Sequence, residues 1–162
     1  MSHTAGKQFI RRATLSETSS VLLEWASKEG WNPGLSDAGC FYNTDPNGFF
    51  IGTIDDLPVS CISLVKYSQD FAFLGFYIVH PDFRGMGYGY DLWKTAMEYA
   101  GTANTGLDGV TDQQENYKKS GFVFAHNQMR YEGIGMKGKL QTECMEIKNI
   151  SMYDLVHFDK NI

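Results

Sequence analysis

Arg84-Gly85-Met86-Gly87-Tyr88-Gly89-Tyr90 places a glycine at every second position, after the apolar run Tyr77-Ile78-Val79 and before a stretch of helical periodicity. Glycine lets a chain turn tightly and leaves its N–H groups uncovered. The first amides of a helix have no internal partner and sit at the positive end of its dipole. A strand, a bare glycine turn and a helix start together make a cradle for an anion, most often phosphate. We therefore expect a phosphorylated cofactor to lie across residues 85–90. Spacing excludes two familiar cradles. A P-loop ends in Gly-Lys-Ser/Thr, whereas Gly89 is followed by Tyr90 and Asp91; a dinucleotide turn counted from Gly85 and Gly87 needs glycine at position 90, where Tyr stands. The pattern present is Arg-x-x-Gly-x-Gly, as Arg84, Gly87 and Gly89.

Other reactive side chains are sparse. The three cysteines, Cys40, Cys61 and Cys144, are far apart and form no C-x-x-C, and the four histidines do not pair at ligand spacing. Neither a structural metal nor a disulfide framework is expected. Cys61 falls in a β-rich run, which suits a small buried hydrophobe better than a nucleophile.

The elements that must hold the glycine turn follow from periodicity and punctuation. Residues 9–12 read as a strand. Thr14 and Glu17 form a capping box for a helix reaching about residue 28, with Val21, Leu22, Trp25 and Ala26 as its apolar stripe. Trp31-Asn32-Pro33-Gly34 is a turn, and 36–42 a short helix. Residues 49–54 and 59–67 read as a hairpin joined through 55–58. The run 71–79 is apolar on both faces and so central. The main helix runs from Gly87 to about Ala100, burying Leu92, Trp93, Ala96, Met97 and Ala100. A short strand over 107–110, a helix over 112–119, an extended segment over 122–134 and a last strand over 144–150 complete the order, with a short helix starting at Ser151. Strands in a meander with one crossover helix make an α+β domain.

With the preceding Ile78-Val79-His80-Pro81, the Arg84-x-x-Gly87-x-Gly89 turn resembles motif A of the GNAT superfamily of acetyl-CoA-dependent N-acetyltransferases. Tyr117-Lys118-Lys119-Ser120-Gly121-Phe122 resembles the Tyr-x-x-x-Gly-Phe that closes the core of that family. The order of elements is also similar. The resemblance implies a GNAT-type α+β fold, a mostly antiparallel twisted sheet of about six or seven strands flanked by about four helices. It implies acetyl-CoA as co-substrate, with its pyrophosphate on Gly85, Met86, Gly87, Tyr88, Gly89 and Tyr90 and Arg84 beside it. The pantetheine arm would pair with Tyr77, Ile78 and Val79 like an added strand. Tyr117 would protonate the departing thiolate, which suits a phenol that holds its proton at neutral pH.

The general base is less marked. Many family members use a Glu on the central strand, but 71–79 contains no acid. Asp108 is the first candidate; Asp112, Glu115 and His80 stand behind it, as does a water chain. Val110 occupies the position seven before the tyrosine where the family usually has Asn, and Gln113, Gln114 and Asn116 lie near by. Trp31, Asn32, Asp37 and Tyr42 fall in the segment that covers the acceptor in this superfamily. Trp-Asn-Pro-Gly, Asp-Pro-Asn-Gly-Phe-Phe and Gly-Leu-Asp-Gly-Val further resemble a bacterial subgroup whose members often carry a second GNAT-like domain. On that resemblance residues 1–150 form the acetyltransferase domain, and 151–162 a tail or the start of a second one.

The expected activity is direct transfer of an acetyl group to a primary amine of a small molecule. The alternatives are a non-catalytic acyl-CoA-binding sensor, transfer to a protein or peptide amine, and transfer of a longer acyl group. At 162 residues the chain can bury a core without staples. A formal charge of −5 with no basic patch argues against nucleic acid as a partner. No apolar run is long enough to span a bilayer or serve as a leader, so a cytoplasmic protein without membrane or metal is expected. A homodimer is compatible with this reading.

Overall fold

The computed structural model describes residues 6–129, 131–135, 138 and 145–159. The chain divides into two compact units, Met1–Val123 and Phe124–Ile162.

The first unit is built on one five-stranded sheet in the order β1-β2-β3-β4-β5. β1 (Phe9–Arg12), β2 (Phe49–Ile54), β3 (Leu57–Lys66) and β4 (Phe71–Val79) are successively antiparallel, and β5 (Asn104–Leu107) joins β4 in parallel. The β2–β3 connection is tighter than the 55–58 turn expected from sequence. Asp55 and Asp56 both have positive φ, +49° and +63°, giving a two-residue turn whose twist matches a hairpin. β3 therefore starts at Leu57 and includes Pro58, opposite Thr53 where the register shifts.

A helical stretch lies between β1 and β2. Thr14 accepts from the Glu17 amide while Glu17 reaches back to the Thr14 amide, the expected capping box. α1 (Leu15–Glu17) passes through a widened π-helical segment, Thr18–Leu23, into α2 (Glu24–Lys28). The Thr18 and Ser19 hydroxyls donate to the carbonyls of Thr14 and Leu15, competing with the helical ladder where it widens. α3 (Asp37–Thr44) follows, then α4 (Tyr88–Ala100) and α5 (Gln114–Lys119).

The two faces of the sheet make two cores. Val21, Leu22 and Ala26 pack on Phe49, Ile51, Cys61, Val65 and Ile78. Leu92, Trp93, Ala96 and Ala100 of α4 pack on Phe50, Ile62, Leu64, Ala72 and Leu74. Leu92 and Ala96 are fully buried; removing a leucine side chain from such a site costs about 2–5 kcal/mol.

Three expectations are corrected. The strand placed at 107–110 is Asn104–Leu107, so Asp108 lies just past its end. The helix placed at 112–119 opens with a 3₁₀ turn, Thr111–Gln113, before α5. Among the described residues five strands form, where six or seven were expected: those of 122–134 include no strand, and Ile147–Asn149 is a 3₁₀ turn. Apolar composition alone does not make a strand, which needs a ladder partner. Cys144 and the positions up to it from 139 lie outside the described residues. In the second unit the helix expected at Ser151 is present as α6 (Met152–Asp159), capped by the Ser151 hydroxyl accepting from the Asp154 amide.

Candidate active site

β4 changes faces part-way along. Ser63 pairs with Gly75 and Cys61 with Ile78, so two steps on β3 face three on β4. The extra residue is a bulge around Phe76, whose φ is +48°. Side chains alternate with period two, so one inserted residue inverts the faces. Before the bulge Ala72 and Leu74 point at α4; after it Tyr77 does, while Phe76 and Ile78 turn to the face covered by α1–α2. The parallel ladder to β5 ends at the pair Leu74 and Leu107. Among the described residues no strand pairs with the β5-side flank of β4 from Gly75 to Val79, where the resemblance implies an added strand.

The glycine turn stands at the end of that flank. Gly85 and Gly87 have φ of +78° and +87°, and Gly87 caps α4 without a side chain. Among the described residues no amide from Gly85 through Gly89 donates to a backbone carbonyl, whereas Tyr90 and Asp91 donate to Gly87. Gly89 serves packing: a Cβ there would sit 2.8 Å from the Tyr77 hydroxyl and 3.0 Å from Val79. Among the described residues this helix start presents amides without a backbone partner, which fits a pyrophosphate.

The side chains around the turn are less alike than the motif suggests. Tyr88 is buried and its hydroxyl donates to the Gly6 carbonyl at 2.8 Å. Tyr90 and Met86 are exposed, and Lys94 lies 5.0 Å over the Tyr90 ring. Lys94 also pairs with Asp91 at 2.9 Å, offsetting the acid in the first turn. Arg84 is turned away from the helix start. Its Nε donates to the Val79 carbonyl at 2.9 Å, and its guanidinium pairs with Glu29 at the end of α2.

Trp93 gathers the aromatic residues. Its ring lies 5.4 Å from Tyr77, 5.9 Å from Tyr117 in a stacked arrangement, and 5.7 Å edge-on from Phe122. Gly121 ends α5 with φ +93°, and the Phe122 amide donates back to the Tyr117 carbonyl. That helix-ending motif is what places Tyr117 and Phe122 on the same ring. Gly109 completes the seat, since a Cβ there would lie 2.5 Å from the Tyr117 ring. Burial, then the neighbouring Tyr117 hydroxyl, pushes the Tyr77 phenol up to about 12. Burial also raises Tyr117 above its usual range. Both phenols hold their protons at neutral pH.

The remaining candidates are placed as follows. Asp108 is exposed, next to Gly109. Asp112 is exposed, Glu115 pairs with Lys118 at 2.7 Å, and Gln113 accepts from Asn116 at 2.8 Å. His80 is edge-on to Trp25 and Phe83, and its ring accepts from the Asp82 amide. Cys61 is fully buried and its thiol is pushed far up by burial, as befits a core residue. Trp31, Phe41, Tyr42 and Phe76 pack against the α1–α2 core, with Phe41 and Phe76 6.4 Å apart. Asn32 takes φ +48°, and Asp37 accepts from the Gly34 amide at 2.8 Å, so its carboxylate pins the turn. Phe41 thus meets Phe76, and Trp93 meets Tyr77, on opposite faces of one bulge. Among the described residues no group of three or more His, Cys, Asp or Glu could hold a metal ion.

Sequence reasoning missed the Tyr77 ring as a second phenol beside Tyr117. It also missed Gln8, which is buried and joins β3 to the start of α4. A lone buried Gln before a strand leaves no spacing signal.

Residues 16–122 match the family model described as acetyltransferase (GNAT) family. The holothin acyltransferase of Pseudoalteromonas sp. (strain SANK 73390) is 43% identical over 114 residues, 70% of this chain but only 39% of that protein. The chain thus spans about two fifths of that relative's length. Ard1 from Thermoplasma volcanium superposes with a TM-score of 0.62 at 25% identity, over 74% of this chain and 84% of that one. Glucosamine-6-phosphate N-acetyltransferase from Arabidopsis thaliana has the same fold, with a TM-score of 0.57 at 16% identity, over 78% and 99%.

Proposed function

Because the chain belongs to the acetyltransferase (GNAT) family, we propose that it transfers the acetyl group of acetyl-CoA to a primary amine of a small molecule. The observation that carries this reading is the bulge. It opens one flank of β4, leads that flank to the unpartnered amides of residues 85–89, and turns Tyr77 toward Tyr117.

Acetyl-CoA supplies an activated acyl thioester. The amides of the glycine turn hold its pyrophosphate, and the open flank over Tyr77, Ile78 and Val79 aligns its arm. A backbone amide freed on that flank polarises the thioester carbonyl as charge develops on its oxygen. Tyr117 holds a proton at its hydroxyl and gives it to the departing sulfur. Asp108, beside the Gly109 that seats Tyr117, is the carboxylate we assign to accept the proton of the amine. Arg84 keeps the end of β4 and α2 together through Val79 and Glu29. Trp31, Asn32, Asp37 and Tyr42 wall the acceptor side.

A non-catalytic acyl-CoA-binding role is favoured by one observation, the lack of any acid on β4. An acceptor screen separates the two. The relative's name makes holothin a first candidate, to be run beside small primary amines and a peptide N-terminus. Release of free thiol that depends on one of these amines and falls in Asp108→Asn supports the enzyme. Tight acetyl-CoA binding without thiol release on any acceptor would favour the sensor.

A further inference from the structure

The Gln8 side chain, just before β1, reaches the start of α4. It is buried, 7% exposed, and lies 80 residues from its partner in sequence. Its Nε2 donates to the Tyr88 carbonyl at 2.7 Å, and its Oε1 accepts from the Ser60 hydroxyl at 2.9 Å. The carbonyl can only accept, which fixes the orientation of the amide. Ser60 in turn pairs with Val79, the last residue of β4. One amide therefore spans from the strand position opposite the end of β4 to the first residue of α4. Tyr88 adds a second tie through its hydroxyl to the Gly6 carbonyl at 2.8 Å. Gly52 of β2 provides the room, since a Cβ there would run into both the Gln8 amide and the Ser60 hydroxyl.

From this arrangement we infer that Gln8 is a positioning residue for the anion cradle. The segment between Val79 and Tyr88 holds two left-handed glycines and a run of unpartnered amides. Such a segment is free to fan its N–H groups apart unless both ends are fixed, and misaimed donors lose most of their value. Val79 is fixed by the sheet. Tyr88 is fixed by Gln8 from the side facing away from the turn, so the clamp costs the cradle none of its own donors. The inference rests on acetyl-CoA binding at this turn.

The test compares two probes. Coenzyme A has the pyrophosphate; pantetheine has only the arm. Affinities for both are measured by calorimetry and NMR titration in the full chain, in Gln8→Leu and in the milder Ser60→Ala and Tyr88→Phe. We expect coenzyme A to bind Gln8→Leu about tenfold more weakly, and the milder variants about threefold, with pantetheine affinity changed by less than about twofold in all. A merely structural role would weaken both probes together, and that result overturns the inference, as does coenzyme A affinity unchanged in every variant. If Gln8→Leu does not fold, Ser60→Ala and Tyr88→Phe carry the comparison. If the unsubstituted protein binds coenzyme A no better than pantetheine, the cradle itself is wrong and the inference falls with it.

Discussion

Two phenols share the Trp93 ring, and their surroundings divide their roles. Tyr77 is the more perturbed, pushed to about 12 with its hydroxyl against Gly89, while Tyr117 is seated by Gly109 at the end of a short helix. Tyr117→Phe is expected to lower kcat about a hundredfold while leaving the KM for acetyl-CoA within twofold, as removal of a general acid does. Tyr77→Phe is expected to stay within about threefold in kcat. The reverse pattern in steady-state kinetics would move the acid to Tyr77. The sign of the pH dependence follows from burial. A raised phenol keeps its proton to higher pH, so the loss of kcat that belongs to Tyr117 falls above the ordinary value of 10. A basic limb centred well below that value, present in the wild type and absent in Tyr117→Phe, would contradict the role. Tyr117 was legible because its motif carries its own helix-ending glycine. The Tyr77 ring was not, because strand parity assigns faces only as far as the bulge, and nothing in Gly75-Phe76-Tyr77 announces an extra residue.

At the level of elements, the site is the meeting of β4, α4 and the loop after β5. The sequence reading placed β4 at 71–79 and α4 from residue 87, in agreement with the structure, since an apolar run and a helical stripe are both strong periodic signals. It misplaced β5 because Asn104-Thr105-Gly106-Leu107 is short and weakly β-forming, held by its parallel ladder to Phe71–Leu74. Strands expected beyond residue 122 rested on composition alone. Gly109→Val should drive its side chain into the Tyr117 ring, lowering kcat with a stability loss of about 1–3 kcal/mol, read by activity and thermal melting together. Normal kcat in that variant would show that Tyr117 need not sit where it does. At the other end, Arg11 and then the Thr14 amide and hydroxyl hold Glu17 down from 4.5 to about 2. Its folded value lies below its unfolded one, so its stabilisation is present above pH 4.5 and is lost as pH falls through 2. Glu17→Ala should melt a few degrees lower than wild type at pH 7, by about 1 kcal/mol, and the gap should close toward pH 2. A gap independent of pH would assign the effect to something other than its charge.

Across the whole molecule, the family match covers residues 16–122, which takes in β2 to β5, α2 to α5 and the glycine turn, while β1 and Gln8 lie before it. Among the described residues no helix is long and apolar enough to cross a membrane. The cradle was read from three glycines and an arginine; in the structure Gly85 and Gly87 take left-handed φ and Gly89 packs closely against Tyr77 and Val79. Arg84 is used elsewhere, because a charged side chain follows its nearest acceptors, here Val79 and Glu29. Binding to the folded state alone should also show as stability: at a hundredfold excess over Kd, acetyl-CoA should add about 2.7 kcal/mol to unfolding, visible as a rise in Tm. The most direct test is calorimetric titration of the chain with acetyl-CoA and, separately, with NADH. Saturable binding of acetyl-CoA and none of NADH is the expected result, because the turn presents bare amides without the dinucleotide spacing. No heat with acetyl-CoA, or equal binding of the two, would contradict a pyrophosphate cradle at residues 85–90.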